Sequence, residues 1–162
     1  MRRWRGWREV PVAAVDYAGI RDQLKTILEG DATLSGVRVF VEEEPQFGLS
    51  DQQKAIAVYM DRRTAAAADQ NLSAGKRTRY MLRATLWTVF FSLESYKVAC
   101  DGRDSVLGAL ELVLMANRTI GGKAASSYLD GGELISAQDA SNGVFVAAGE
   151  TILMMEVSAI NT

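Results

Sequence analysis

The side chains able to do chemistry in this chain are carboxylates, arginines and tryptophans, because there is no histidine. Without imidazole the commonest general base near neutral pH is gone. So are the Ser–His and Cys–His nucleophile pairs and most zinc and iron sites. Glu42, Glu43 and Glu44 stand in a row, and Asp101 and Asp104 lie one helical turn apart. Either group has the residue types for a divalent cation or for paired acid–base work. Each also has a plainer account. The glutamates read as a solvated strand end or an electrostatic contact with a partner, and the aspartates as residues that open a helix. Neither GxxxxGK nor GxGxxG occurs. Gly121-Gly122-Lys123 looks like the end of a phosphate loop, but it follows a helical segment instead of opening one. The reading is therefore of a protein that is not an enzyme, with no catalytic, metal or cofactor-binding residues and no cofactor.

A different chemistry sits at the N-terminus, MRRWRGWREVPV. Arg2, Arg3, Arg5 and Arg8 against Glu9 give this arm a balance of +3, which leaves about −5 for the remainder of a chain whose net charge is −2. Trp4 and Trp7 interleave with the arginines. Such segments stack on bases, lie at membrane surfaces, pack on their own body or anchor in a neighbouring protein. The negative total argues against a general nucleic-acid binder, and the favoured reading is docking in a protein neighbour.

Arg2-Arg3 does not open an export signal, since Asp16, Arg21 and Asp22 interrupt any apolar region behind it. No run approaches the ~18 apolar residues of a membrane span. A single cysteine, Cys100, excludes an internal disulfide, fits a reducing compartment and reads as a small buried apolar residue. The expectation is a soluble protein made in the cytoplasm.

The elements that would position these residues begin after residue 12. Asp16 is a plausible N-cap for a helix whose Ile20, Leu24, Ile27 and Leu28 form one buried stripe, with Gly30 as a left-handed stop. Val37 to Val41 reads as a strand that ends at Glu42–Glu44 and Pro45, and Lys54 to Met60 as a second. Residues 62–76, RRTAAAADQNLSAGK, read as a long polar loop with only Leu72 as an apolar anchor. A second helix starts near Asp101 or Asp104 and runs to about Asn117. Val106, Leu110, Val113 and Leu114 form its stripe, and Leu112 and Met115 lie off it. Ala125 to Ala137 reads as a weak strand pair about a hairpin turn at Asp130-Gly131-Gly132. Phe145 to Val157 reads as the closing strand.

Between loop and second helix lies RTRYMLRATLWTVFFSL, Arg77 to Leu93, seventeen residues without glycine or proline. Extended at about 3.3 Å per residue it would span roughly 55 Å, more than the ~40 Å diameter of a compact chain of this size. It is therefore bent, or longer than its own domain and in contact with another chain. Arg77, Arg79 and Arg83 share one face in its first half, and Trp87, Val89 and Phe91 occupy that face in its second half. Tyr80, Leu82, Ala84, Leu86 and Phe90 occupy the other. One face can pack on helices; the other needs a cover from elsewhere.

With 48% hydrophobic and 23% charged residues, the chain reads as an arm over residues 1–12 and a single domain over residues 13–162. The class is α/β (α+β), with a mixed, mostly antiparallel sheet of four to six strands and two main helices on one face.

This layout resembles the tail terminator (tail completion) proteins of long-tailed bacteriophages of the lambda-like kind. The resemblance is carried by GIRDQLKTIL, VRVFVEEEP, a loop leading into RYMLRATLWTVFF, then SVLGALELVLMAN and GVFVAAGETILMMEV, and it covers the chain from about residue 15. The arm is not part of that pattern. What the resemblance implies is a virion protein forming a hexameric ring on the tail tube, stopping its polymerisation and offering the surface to which the head docks. Its partners would be further copies of itself, the tail-tube protein and the neck or head-closure protein, with no specific nucleic acid and no membrane. Another neck component, a tube subunit or, less so, a small-molecule-binding or carboxylate-dependent enzyme domain are the alternatives. The interface residues expected on this reading are Trp4, Trp7, Trp87, Val89 and Phe91 as apolar anchors, with Arg62, Arg63, Lys76, Arg77 and Arg79 meeting Glu42, Glu43 and Glu44 of a neighbour.

Overall fold

Three strands of 13, 16 and 18 residues form the centre of the structure. The computed structural model describes residues 12–48, 50–65, 77–139 and 143–161. Its elements are β1 (Val12–Ala13), α1 (Tyr17–Gly30), a 3-10 turn (Ala32–Leu34), β2 (Arg38–Val41), β3 (Gln53–Ala65), β4 (Arg77–Ser92), α2 (Tyr96–Ala116), β5 (Ser126–Leu129), β6 (Leu134–Asp139) and β7 (Val144–Asn161). One sheet runs β1-β7-β4-β3-β2, with β5 and β6 also paired to β7. The β2–β3 pair is parallel and the other pairs are antiparallel. This is the expected mixed, mostly antiparallel α+β architecture.

The length of β4 is matched by its neighbours. Every residue from Arg77 to Ser92 has a partner on β7, Arg77 opposite Ile160 and Ser92 opposite Phe145. On its other edge β3 follows from Gln53 opposite Phe91 to Ala65 opposite Tyr80. The backbone groups of the long strand are thus satisfied within the chain, as a buried ladder requires.

Both helices cover one face. Ile20, Leu24 and Leu28 of α1 and Val106, Leu110, Val113 and Leu114 of α2 join a single buried cluster with Ile56, Val58, Leu82, Ala84, Leu86, Leu153, Met155 and Val157. On β4 these are the even-numbered residues, as period-two alternation demands. Fully burying each large aliphatic contributes about 1.5–3 kcal/mol, so this layer dominates the folding energy. The contact is close: a Cβ on Gly102 of α2 would lie 2.5 Å from the Phe90 ring. Asp16 caps α1 as expected, its Oδ1 accepting the Gly19 N–H at 2.9 Å.

Several elements differ from the sequence reading. Gly30 is the last residue of α1 and is not left-handed; Asp31 follows in extended conformation and its carboxylate caps the 3-10 turn. Helix α2 starts five residues before Asp101, with Ser95 as its N-cap. Asp101 and Asp104 therefore lie inside it, paired with Lys97 and Arg103. The buried stripe runs back through Ala99 and Arg103, too polar a stretch to reveal itself by periodicity. Cys100 is half-buried. Residues 62–65 continue β3, because β4 supplies hydrogen bonds to a polar segment that offers no apolar signal.

The Asp130-Gly131-Gly132 turn is not a hairpin. β5 and β6 run in the same direction along one edge of β7, opposite residues 153–156 and 144–149. Gly131 accepts from Ile152 N–H and Asp130 donates to Ile152, both at 2.8 Å. The pair of glycines makes a bulge in one interrupted strand, while β6 and β7 are the true antiparallel neighbours in sequence. A Cβ on Gly132 (φ +152°) would lie 1.9 Å from the Glu150 carbonyl oxygen, whereas one on Gly131 (φ +80°) would meet nothing within 4 Å. Gly132→Ala is expected to cost about 2 kcal/mol or more in a urea unfolding titration, and Gly131→Ala about 1 kcal/mol. Equal losses would show that the close approach to Glu150 is not what requires glycine.

Thr88 and Thr151 bury hydroxyls that find no hydrogen-bond partner among the described residues. Thr88 is fully buried beneath the helices. Removing its hydroxyl as Thr88→Val is expected to raise stability by about 1 kcal/mol, read from the same titration. A destabilisation would mean that the hydroxyl is satisfied in solution.

Candidate assembly surface

The face of the sheet turned from the helices is apolar over much of its area, and no described helix packs on it. Register brings Ala57, Trp87 and Glu150 into one row across β3, β4 and β7, and Ala55, Val89 and Ala148 into the next. Phe91 lies opposite Val146, and Thr85 opposite Ile152. Ala55 and Ala57 are fully buried although both helices pack elsewhere, so the large side chains beside them do the covering. Trp87, Val89 and Phe91 are each half-buried. Phe47, from the segment between β2 and β3, stacks on Phe91 with ring centroids 5.9 Å apart. At the sheet edge Arg38 sits over the Phe40 ring at 5.3 Å and donates to the Gln46 carbonyl. The three residues expected to need a cover thus lie side by side on one face, and among the described residues only Phe47, stacked on Phe91, is seen to cover any of them.

The charged end of the strands is organised by a bulge. Met60 pairs with Ala84 and Arg62 with Arg83, which leaves Asp61 as the extra residue on β3. Its carboxylate accepts from Arg83 Nε at 2.8 Å and Nη2 at 3.2 Å, and from Thr85 Oγ1 at 2.7 Å. Partial burial pushes the Asp61 carboxyl up, and the hydrogen bonds from Arg83 and Thr85 outweigh it and hold it below the usual aspartate range. Beyond the bulge, Arg63 Nη1 donates to the Tyr17 hydroxyl at 2.8 Å. Its guanidinium lies 5.8 Å from the Tyr17 ring and 5.3 Å from the Tyr80 ring, a cation held between two aromatic faces. Arg79 stands 3.7 Å from Glu156. The backbone of Arg77 is paired with Ile160, while Trp4, Trp7 and Lys76 lie outside the described residues.

The acidic residues reach the inner side of the bulge by a different route. β2 runs parallel to β3, so its last residue, Val41, stands level with Val58 and Glu42 follows. Glu42 has φ +55°, an unusual conformation for a side-chain-bearing residue. Its N–H donates to the Val58 carbonyl at 2.9 Å, its Oε1 accepts the Met60 N–H at 2.9 Å, and Arg21 lies 3.6 Å away. Glu42 is thereby used inside the chain, whereas the side chains of Glu43 and Glu44 are exposed. Tyr59 donates to the Glu43 carbonyl at 2.8 Å, and burial and the two flanking glutamates push its phenol up.

The structure therefore separates the expected residues along the strands. Arg62, Arg63 and Arg79 lie beyond the Asp61 bulge, whereas Glu42 is bonded to β3 at Val58 and Met60, before it and at mid-sheet. At ~3.3 Å per residue, Trp87 lies about 26 Å along the strands from Arg79 and about 13 Å from the level of Arg62, while Glu42 stands almost level with Trp87. The sequence reading missed Asp61 and Tyr17, whose side chains fix Arg83 and Arg63. An aspartate inside a strand carries no periodic signal, and Tyr17 is remote in sequence from its partner. Among the described residues no group of three or more histidine, cysteine or acidic side chains could hold a metal, and no helix is long and apolar enough to cross a membrane.

No protein-family model matches the chain, and no curated protein does. Among solved structures it is similar to a chain from one described as the virion of the native gene transfer agent (GTA) particle, at 8% sequence identity and a TM-score of 0.46, over 90% of this chain and 99% of that one. A likeness of that degree does not establish a shared fold.

The carboxyls of Asp61, Asp16 and Asp31 are all held below the usual aspartate range. At Asp16 the Gly19 N–H and then Lys123 are responsible, and at Asp31 the Thr33 hydroxyl and N–H. A depressed folded-state value means that their contribution is fully present above the unfolded aspartate pKa of about 3.9 and is lost as pH falls through the folded values. Stability is therefore expected to hold from pH 7 to about 5 and to fall below about 4, with Asp61→Asn showing a shallower acid limb. An Asp61→Asn profile superimposable on the parent, merely displaced, would refute the assignment at Asp61.

Proposed function

We propose that this chain is a structural subunit of a phage-like virion. It acts as a tail terminator whose copies close into a ring on the end of the tail tube, with no chemistry of its own. There the ring halts tube polymerisation and presents the docking surface for the neck. The observation that carries this reading is the one-sided cover of the long strands. The helices bury one face, while Trp87, Val89 and Phe91 on the other stay only half-buried among the described residues, with Phe47 stacked on Phe91. An apolar sheet face with a charged end is the kind of surface that a heterologous, ring-forming contact uses. The element order named with the resemblance supports the terminator role in particular. Its partners on this reading are further copies, the tail-tube protein and the neck protein, and its place is the virion after assembly in the host cytoplasm.

The ring contact would join two patches of different character. The apolar patch supplies most of the affinity, and the charged end supplies register and orientation. Exposed ion pairs contribute under about 1 kcal/mol each, so the charges alone could not hold a ring together.

Native mass measurement and negative-stain imaging at high concentration test the reading: closed rings, six-membered on the resemblance, are expected. Open filaments would instead make the chain a tube subunit, and a strict monomer would remove the assembly role. Val89→Lys is expected to abolish rings while leaving the far-UV circular dichroism unchanged. Arg62→Glu with Arg77→Glu should weaken ring formation in moderate salt. It is a cleaner pair than one including Arg79, whose reversal would set a second carboxylate against Glu156. Rings that persist in both variants would exclude these surfaces.

A further inference from the structure

We infer that the arginine- and tryptophan-bearing arm of one copy of this chain docks in the groove between α2 and β5 of a second copy. This rests on the self-association in the reading above and not on tube capping. The groove exists because α2 carries more apolar side chain than its buried stripe can hide. Leu112 and Met115 are 64% and 55% exposed, and Tyr128 on β5 is 51% exposed. Between α2 and β5 a cavity of about 330 Å³ reaches from Met115 and Tyr128 inward to the core residues Leu114 and Leu153, with Leu129 and Arg118 completing its wall. That is the size and composition of a site that accepts an aromatic anchor, and methionine adapts readily to such a guest. The sequence supplies two anchors outside the described residues, Trp4 and Trp7, set among arginines. Tryptophan and arginine are the residues that most often dominate interface energies.

Reach and polarity decide whose arm it is. β1 pairs with the same edge of β7 as β5 does, Val12 opposite Asn161 and Tyr128 opposite Met154. The two sites are thus seven β7 residues apart, about 23 Å at ~3.3 Å per residue. β1 is antiparallel to β7, so its strand direction at Val12, read towards lower numbers, points away from β5. From Val12, five residues back to Trp7 span at most about 18 Å, and eight back to Trp4 about 29 Å. After the reversal needed to turn back, Trp7 falls short of its own groove, and Trp4 has only about 6 Å, less than two residues of chain, left for the turn. The arm of a second copy has no such limit.

Charge points the same way. The arm carries +3, and exposed Glu111, one turn before Met115 on α2, and exposed Asp130, next to Leu129, flank the groove. The opposing cation, Arg118, is held by its Nε donating to the Ser127 carbonyl at 3.3 Å.

Two full-length variants test this by complementation. Trp4→Ala with Trp7→Ala removes the anchors and keeps the groove. Met115→Lys spoils the groove at an exposed position and keeps the arm, with circular dichroism and thermal melting confirming that each folds. In sedimentation velocity each variant alone is expected to self-associate at least tenfold more weakly than the parent. Their equimolar mixture should regain association, because an intact arm then meets an intact groove on another chain. A parent that stays monomeric at millimolar concentration, or a variant that associates as the parent does, would overturn the inference. A mixture no better than its parts would place the arm in its own chain. Imaging reads tube capping separately, so the two readings can fail independently.

Discussion

The structure depends on a hydrophobic layer laid against one side of a sheet only. α1 and α2 bury the even-numbered residues of β4 together with their partners on β3 and β7. Among the described residues, the odd-numbered ones receive no equivalent layer. Because the side-chain period of a strand is two, Trp87, Val89 and Phe91, at odd positions, fall on the side turned from the helices, while Phe90 falls on theirs. Everything distinctive about the exterior follows from that placement: lateral shielding by neighbouring rings, alanines buried beneath them, and Phe47 brought over Phe91.

The sheet also carries an answer to the exposure of its own ends. Seven strands could leave long free edges, which invite unintended pairing. On one side β2 is four residues long and stops at a left-handed Glu42 followed by further acids and Pro45. On the other, β6, β5 and β1 line the outer edge of β7 end to end. The Asp61 bulge contributes at the far end of β3. It bends the ribbon and sets its charges in fixed positions through Arg83 and Thr85. A chain protected in this way at its edges is left with its sheet face, its α2 exterior and its charged end as places where another chain can bind.

Those places have different physical demands. The sheet face offers apolar area without directional bonds, and so favours affinity over precision. The charged end offers direction, but most of its cations already have an internal partner: Arg63 has two tyrosines, Arg79 has Glu156 and Arg83 has Asp61. A partner binding there must share these groups rather than find them idle, which keeps the electrostatic contribution small and the geometry strict. The groove beside α2 combines a cavity with flanking acids, a combination suited to the cationic, aromatic guest proposed above.

The sequence by itself determined the long strand, its alternation, the capped first helix, the stripe of the second and the α+β class, because each is a local pattern with a fixed period. It also determined that Trp87, Val89 and Phe91 share a face. Only the tertiary structure decided what depends on chain pairing between distant segments. Residues 62–65 are strand because β4 runs beside them. Asp130-Gly131-Gly132 is a bulge and not a hairpin because β7 offers both flanking segments the same edge. Asp61 and Tyr17 are the fixed points of the charged end because the register, not the order of residues, brings Arg83 and Arg63 to them. Local periodicity is written residue by residue, whereas register is a property of the whole sheet.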